Sequence, residues 1–141
     1  MLNAQTRERP SDGGASALDA LRPPREEGHV FVFGSNLAGI HGAGSARHAH
    51  EFYGAQFGVG EGRTGDAYAI PTKDRDMKTL SLVRIRTAVD TFMLYAHRRP
   101  KLAFDVVKVG CGLAGYKDWQ IAPMFHGAPQ NVKLPDGWRR S

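Results

Sequence analysis

Phe104-Asp-Val-Val-Lys-Val-Gly-Cys-Gly-Leu-Ala-Gly-Tyr-Lys-Asp-Trp119 decides how this chain is read. A β-branched apolar run stops at Gly110, glycines recur at Gly112 and Gly115, and a helix start is expected at Asp118. A strand that opens through glycines into a helix N-terminus is a place to hold phosphate. Glycine lets the backbone come close, and free N–H groups and the helix dipole favour an anion. A second glycine-rich loop, Gly34-Ser-Asn-Leu-Ala-Gly-Ile-His-Gly-Ala-Gly44, also follows a strand and also runs into a helix. Two such loops in one short chain point to a ligand with two phosphates.

Outward from these loops, strands and helices alternate. Val30–Phe33 reads as a buried strand, Ala43–Tyr53 as a helix stopped by Gly54, and Ala67–Ile70 as a strand ended by Pro71. Between them, Gly54–Gly65 reads as loop. Leu82, Ile85, Val89, Phe92 and Ala96 fall at three- and four-residue intervals, which predicts a helix over Thr79–Arg98 with Thr79 as its N-cap. Ala103–Val109 is a strand, Asp118–Phe125 a short helix carrying Pro123, and Asn131–Pro135 a final strand. The alternation implies an α/β fold with a largely parallel central sheet, in which ligands bind beyond the carboxyl ends of the strands. Both glycine loops leave from such ends and are expected to face one cleft.

The 141 residues suffice for one domain, and 41% hydrophobic with 23% charged residues places the chain in the soluble globular class. Residues 1–28, rich in Pro, Gly, Ser and charge, are expected to be disordered with a short helical turn at Ala15–Leu21; the compact domain is 29–141. No apolar run approaches the roughly 20 residues that span a bilayer, so no membrane partner is expected. Cys111 is the only cysteine, which excludes an internal disulfide and fits a reducing cytosol. The net charge of +5 suits anionic ligands or nucleic acid, and equally a soluble basic surface. Sequence says nothing of oligomeric state.

Gly110-x-Gly112-x-x-Gly115 matches the dinucleotide fingerprint, and Asp136 lies where a ribose-binding acid would sit. Yet the unit falls at the wrong end of the chain to begin a doubly wound sheet, and its helix is short and carries a proline. His48 and His50 point to different faces of a helix, and His41, His97 and His126 have no acidic or Cys partner at ligand spacing, so no metal or cofactor is expected. Cys111 has no histidine nearby in sequence to act as a base, which favours a small structural thiol over a nucleophile. Asn36 is either a ribose or amide partner or a left-handed turn residue; Tyr116 either stacks on a sugar or base or packs in the core. Lys73, after Ile70-Pro-Thr72, emerges with Asp74 at the same sheet end as the glycine loops, and is either a partly desolvated amine acting as nucleophile or phosphate partner or an exposed loop charge.

Three blocks resemble a macrodomain, the ADP-ribose-binding α/β module, and most of all the branch with the terminal ADP-ribose protein glycohydrolase and the DNA ADP-ribosyl glycohydrolase antitoxins. They are His41-Gly-Ala-Gly-Ser-Ala-Arg-His-Ala-His-Glu-Phe-Tyr-Gly54, Tyr68-Ala-Ile-Pro-Thr-Lys73 and Val109-Gly-Cys-Gly-Leu-Ala-Gly-Tyr-Lys-Asp-Trp119, in order and register over residues 30–134. The resemblance implies a three-layer fold, a mixed and largely parallel sheet with helices on both faces. It places Gly42, Ala43 and Gly44 around the distal ribose and a phosphate. It makes Gly110, Cys111, Gly112, Leu113, Ala114 and Gly115 the diphosphate loop, with Tyr116 and Asn36 near ribose and Thr72 beside the cleft. Lys73 falls on the lysine that attacks the ribose anomeric carbon in that branch. The partner it implies is ADP-ribose, free or carried on protein or nucleic acid.

Two departures accompany it. Where the glycohydrolase has an aspartate after Gly-Cys-Gly-Leu, this chain has Ala114; Asp118 and Asp74 are the candidates to replace it. No leading strand precedes His29 unless residues 1–28 supply one. Three functions stay open: an ADP-ribosyl hydrolase using Lys73 and Asp118, a binding module without turnover, and a basic nucleic-acid accessory protein.

Overall fold

The computed structural model describes residues 24–139; the helical turn expected at Ala15–Leu21 lies outside them. Five strands form one sheet in the order β2-β3-β1-β4-β5. The elements run β1 (Gly28–Asn36), α1 (Gly44–Tyr53), β2 (Gly62–Thr64), β3 (Ala67–Lys73), α2 (Leu82–His97), β4 (Leu102–Val106), α3 (Asp118–Ile121), a 3-10 turn (Ala122–Phe125) and β5 (Val132–Lys133). β1 pairs in parallel with β3 and β4, and β4 with β5; β2 alone is antiparallel. The fold is therefore α/β with a mixed, mostly parallel sheet.

The unbroken apolar run of β1 follows from its central place. Val30 and Val32 face one side and pack with Ile85, Val89 and Phe92 of α2. Phe33 faces the other and packs with Ala46 and Ala49 of α1. A strand covered on both faces needs apolar residues at every position rather than at alternate ones. Alternate residues of β3 divide the same way, Tyr68 and Ile70 toward α2, Ala67 and Ala69 toward α1. The small residues of β3 let α1 lie close. Phe92 centres the larger core, edge-on to Tyr68 at 5.0 Å and to Phe104 at 5.4 Å between ring centroids.

Several boundaries differ from the sequence reading. β1 continues through Gly34-Ser35-Asn36, expected as loop, because Ser35 and Asn36 still pair with Pro71 and Lys73 across a register shift. β3 likewise runs through Pro71. β2 pairs β3 only as far as Ala69, so the proline lies past the end of that ladder and its missing N–H breaks nothing there. The expected loop Gly54–Gly65 contains β2, a three-residue edge strand folded back through Gly65, whose φ is +57°. α2 starts at Leu82 with Ser81 as N-cap, its hydroxyl accepting from the Arg84 N–H at 3.2 Å. Thr79, the expected cap, instead donates to the Ala114 carbonyl at 3.0 Å. β4 ends at Val106 rather than Val109, and the helix expected over Asp118–Phe125 is one α-turn followed by a 3-10 turn, as Pro123 requires.

Candidate functional site

β1, β3 and β4 are parallel and adjacent, so their carboxyl ends share one edge of the sheet. α1, which follows β1, covers one face; α2, which follows β3, covers the other. Connections that leave neighbouring strands toward opposite faces open a crevice between them. A cavity of about 800 Å³ occupies that place. Asn36, Gly42, Ala43, Gly44, Thr72, Lys73, Gly110, Cys111, Gly112, Leu113, Ala114 and Asp118 all line it, so the three sequence blocks do converge. Gly115 and Tyr116 lie outside the lining: the Gly115 N–H donates to the Gly112 carbonyl at 3.0 Å, and the Tyr116 hydroxyl donates to the Leu80 carbonyl at 2.7 Å.

Backbone donors lie at two places along the cavity. In α1 the first intrahelical bond recorded is Arg47 N–H to the Ala43 carbonyl at 3.2 Å, and Ala43 offers no side-chain cap. The N–H groups of Gly44, Ser45 and Ala46 therefore have no acceptor among the described residues, at the positive end of a ten-residue helix with no acid in its first turn. In the glycine loop Cys111 N–H donates to Lys108 and Tyr116 N–H to Gly110. Between them the N–H groups of Gly112, Leu113 and Ala114 have no backbone acceptor among the described residues. Successive unpaired N–H groups make an anion-binding nest. The short helix α3, expected to supply a dipole here, has four residues and begins with Asp118, so the loop backbone takes its place.

The side chains divide by what already occupies them. Lys73 lines the cavity half-buried, and no carboxylate is recorded against it among the described residues. Lys108, which the sequence reading did not single out, also lines the cavity; its Nζ lies 2.9 Å from Asp118 Oδ2. Its one signal was a lone cation in the run Val106-Val-Lys-Val109. The Lys108 hydrogen bond, then the Trp138 indole N–H at 3.2 Å, hold the Asp118 carboxyl below the usual carboxylate range, and the Cys111 thiol donates to it as well. Burial, then the Asp118 charge, push the Cys111 thiol up to about 11, so at neutral pH it is a protonated donor and not a nucleophile. Asp118 thus ties together the residue before the loop, a residue inside it and the C-terminal segment.

Asp74 is likewise engaged, its Oδ1 accepting from the N–H groups of Asp76 at 2.8 Å and Lys78 at 3.0 Å. It does not line the cavity. Asn36 does, but its amide clamps the Ile40 peptide, donating to its carbonyl at 2.8 Å and accepting from its N–H at 3.0 Å. Asn36 shapes the loop that carries Gly42–Gly44. The Thr72 hydroxyl donates to the Ser35 carbonyl at 3.2 Å and joins β3 to β1 at the cavity floor. Behind this wall the chain crosses itself at Gly60, where a Cβ would stand 2.1 Å from the Asn36 carbonyl oxygen; only glycine fits. His41, one residue before the loop glycine, is 1% exposed and its Nε2 meets the Gln56 carbonyl at 2.8 Å. Met77, Ile40 and Ser45 line the cavity without having been singled out in the sequence.

No known family model, curated protein or solved structure matches the chain. The likeness to macrodomains rests on the three sequence blocks alone. Among the described residues no group of three or more His, Cys, Asp or Glu gathers where a metal could sit, and no helix is long and apolar enough to cross a membrane.

Proposed function

We propose that the cavity binds the diphosphate of ADP-ribose or a closely related nucleotide, free or attached to protein or nucleic acid. One observation carries this reading. Gly44–Ala46 and Gly112–Ala114, two stretches whose backbone N–H groups have no acceptor among the described residues, line a single cavity together with Lys73. Each row suits one phosphate, and the volume of about 800 Å³ suits a ligand of dinucleotide size. The acids support binding over turnover. Asp118 is the one carboxylate among the described residues of the lining; paired with Lys108 it is anionic at neutral pH and has no proton to give a leaving group. Ala114 supplies none.

A second reading follows from Lys73. Lys73 has no ion pair among the described residues, and such an amine beside a bound ribose can attack its anomeric carbon, breaking the bond to the carrier and later yielding to water. Without an acid for the leaving group, such a reaction lacks a contribution on the order of a hundredfold or more. Calorimetric titration with ADP-ribose, ADP and NAD tests the first reading, which expects ADP-ribose to be preferred; no heat with any of them refutes it. Incubation with ADP-ribosylated protein and DNA tests the second. Release of ADP-ribose that persists unchanged in Lys73→Ala excludes that mechanism.

A further inference from the structure

Met77 is the one non-glycine residue among those described with a left-handed backbone, φ +65°. An unbranched L-residue is strained there, whereas glycine would not be. The turn that imposes this conformation is tightly made. Asp74 N–H donates to the Lys78 carbonyl at 2.8 Å, Met77 N–H to the Asp74 carbonyl at 3.1 Å, and the Asp74 carboxylate takes two further N–H groups. The conformation delivers the Met77 side chain into the lining of the cavity, where it stays 38% exposed.

Two other exposed apolar side chains line the same cavity, Ile40 at 51% and Leu113 at 76%. The three come from three separate loops, following β3, β1 and β4. The Met77 turn is also fastened to the glycine loop, by the Thr79 hydroxyl on the Ala114 carbonyl and the Tyr116 hydroxyl on the Leu80 carbonyl. The segment that follows Met77 is therefore tied to the loop that carries Gly112–Ala114, and Met77 and that loop line the one cavity. A cavity with a polar, N–H-lined wall and apolar side chains standing exposed in it fits a ligand that is anionic in one part and apolar or planar in another.

We propose that Met77 is a specificity residue that grips the organic part of the ligand beyond the diphosphate and so selects a nucleotide ester over free diphosphate. The inference rests on the diphosphate reading given above. The thioether is polarizable and suits the face or edge of a planar ring. Met77 does not touch the phosphates and takes no part in any chemical step.

The test compares ADP-ribose with inorganic pyrophosphate by calorimetry on the full chain, in the native protein, Met77→Gly and Met77→Ala. Glycine removes the side chain and the backbone strain together; alanine removes the side chain and keeps the strain. The expected result is a loss of about tenfold in ADP-ribose affinity in both variants, from the partial burial of one apolar side chain. Pyrophosphate affinity should stay within about twofold of native in both, by the same reasoning that only the apolar contact is lost. The melting temperature of Met77→Gly should be no lower than native. Equal loss for both ligands overturns the inference by making Met77 a support of the glycine loop. Native affinity in Met77→Ala overturns it too, since the effect in Met77→Gly is then backbone freedom. A native chain that binds neither ligand overturns the diphosphate reading itself, a result distinct from either of these.

Discussion

Gly112→Leu separates binding from stability more cleanly than any other change in the cleft. Gly112 is exposed, its φ lies outside the left-handed region, and a Cβ built on it meets nothing within 4 Å. The fold should accept the larger residue. Replacing a glycine where the backbone suits other residues stabilises by about 0.4–1 kcal/mol, because the unfolded chain has fewer conformations to lose. Binding should move the other way. The new side chain rises beside the open N–H groups of Gly112, Leu113 and Ala114. A phosphate displaced from them loses two or three charge-assisted hydrogen bonds worth about 1.5–3 kcal/mol each. Losing two amounts to about 3–6 kcal/mol, a fall of at least about a hundredfold in affinity. Urea denaturation and calorimetric titration with ADP-ribose, run on the same preparation, read the two quantities. A variant that is as stable as native and binds with native affinity would show that this loop holds no phosphate. A variant that unfolds would refute the description of Gly112 as an open position.

Three further predictions bear on groups around the cleft. Burial holds the His41 imidazole below its ordinary value of 6.5, so the unfolded chain takes up this proton before the folded one. Stability from this group is complete above that value and declines as pH falls below it; thermal melts across this range should drop toward acid in the native chain and drop less in His41→Phe. The Cys111 thiol should react slowly with iodoacetamide at neutral pH, and Asp118→Asn should speed it, since the Asp118 charge and hydrogen bond both favour the protonated thiol. Unchanged alkylation in that variant would remove Asp118 as the loop's tie. Gly60→Ala forces a Cβ to 2.1 Å from the Asn36 carbonyl oxygen and should cost about 1–3 kcal/mol in chemical denaturation, with weaker ligand binding as the Asn36–Ile40 wall shifts.

Much of the architecture was legible where a physical signal repeats. The helical spacing of Ile85, Val89, Phe92 and Ala96 places α2 against the sheet, and all four are buried. The unbroken run at Val30–Phe33 marks a strand covered on both faces. What escaped lay in non-local pairing. Gly62–Thr64 has no strand composition and is one only because Ala67–Ala69 lies beside it. Pro71 reads as a strand end, yet the ladder on that flank has already stopped. In the site, backbone donors were foreseeable because glycines announce them. The state of the side chains was not. That Asp118 is bound to Lys108, that Asp74 is spent on a turn, and that Asn36 grips Ile40 depend on distances no sequence spacing encodes. Met77 gave no signal, because its left-handed backbone is imposed by the Asp74 contacts around it.

The position of β1 has a consequence for how the protein comes into being. β1 precedes the other strands along the described chain but lies at the middle of the sheet, between β3 and β4. During synthesis its apolar run must wait for β3, and then through the whole of α2 for β4, before either flank is paired. Closing such long loops makes assembly slow and leaves a sticky segment uncovered meanwhile, a natural client for chaperones. The cleft is completed later still, when the glycine loop and Asp118 follow β4. A chain interrupted between Lys73 and Gly110 would carry every residue from Gly42 to Lys73 and still lack the Gly110–Ala114 side of the cleft.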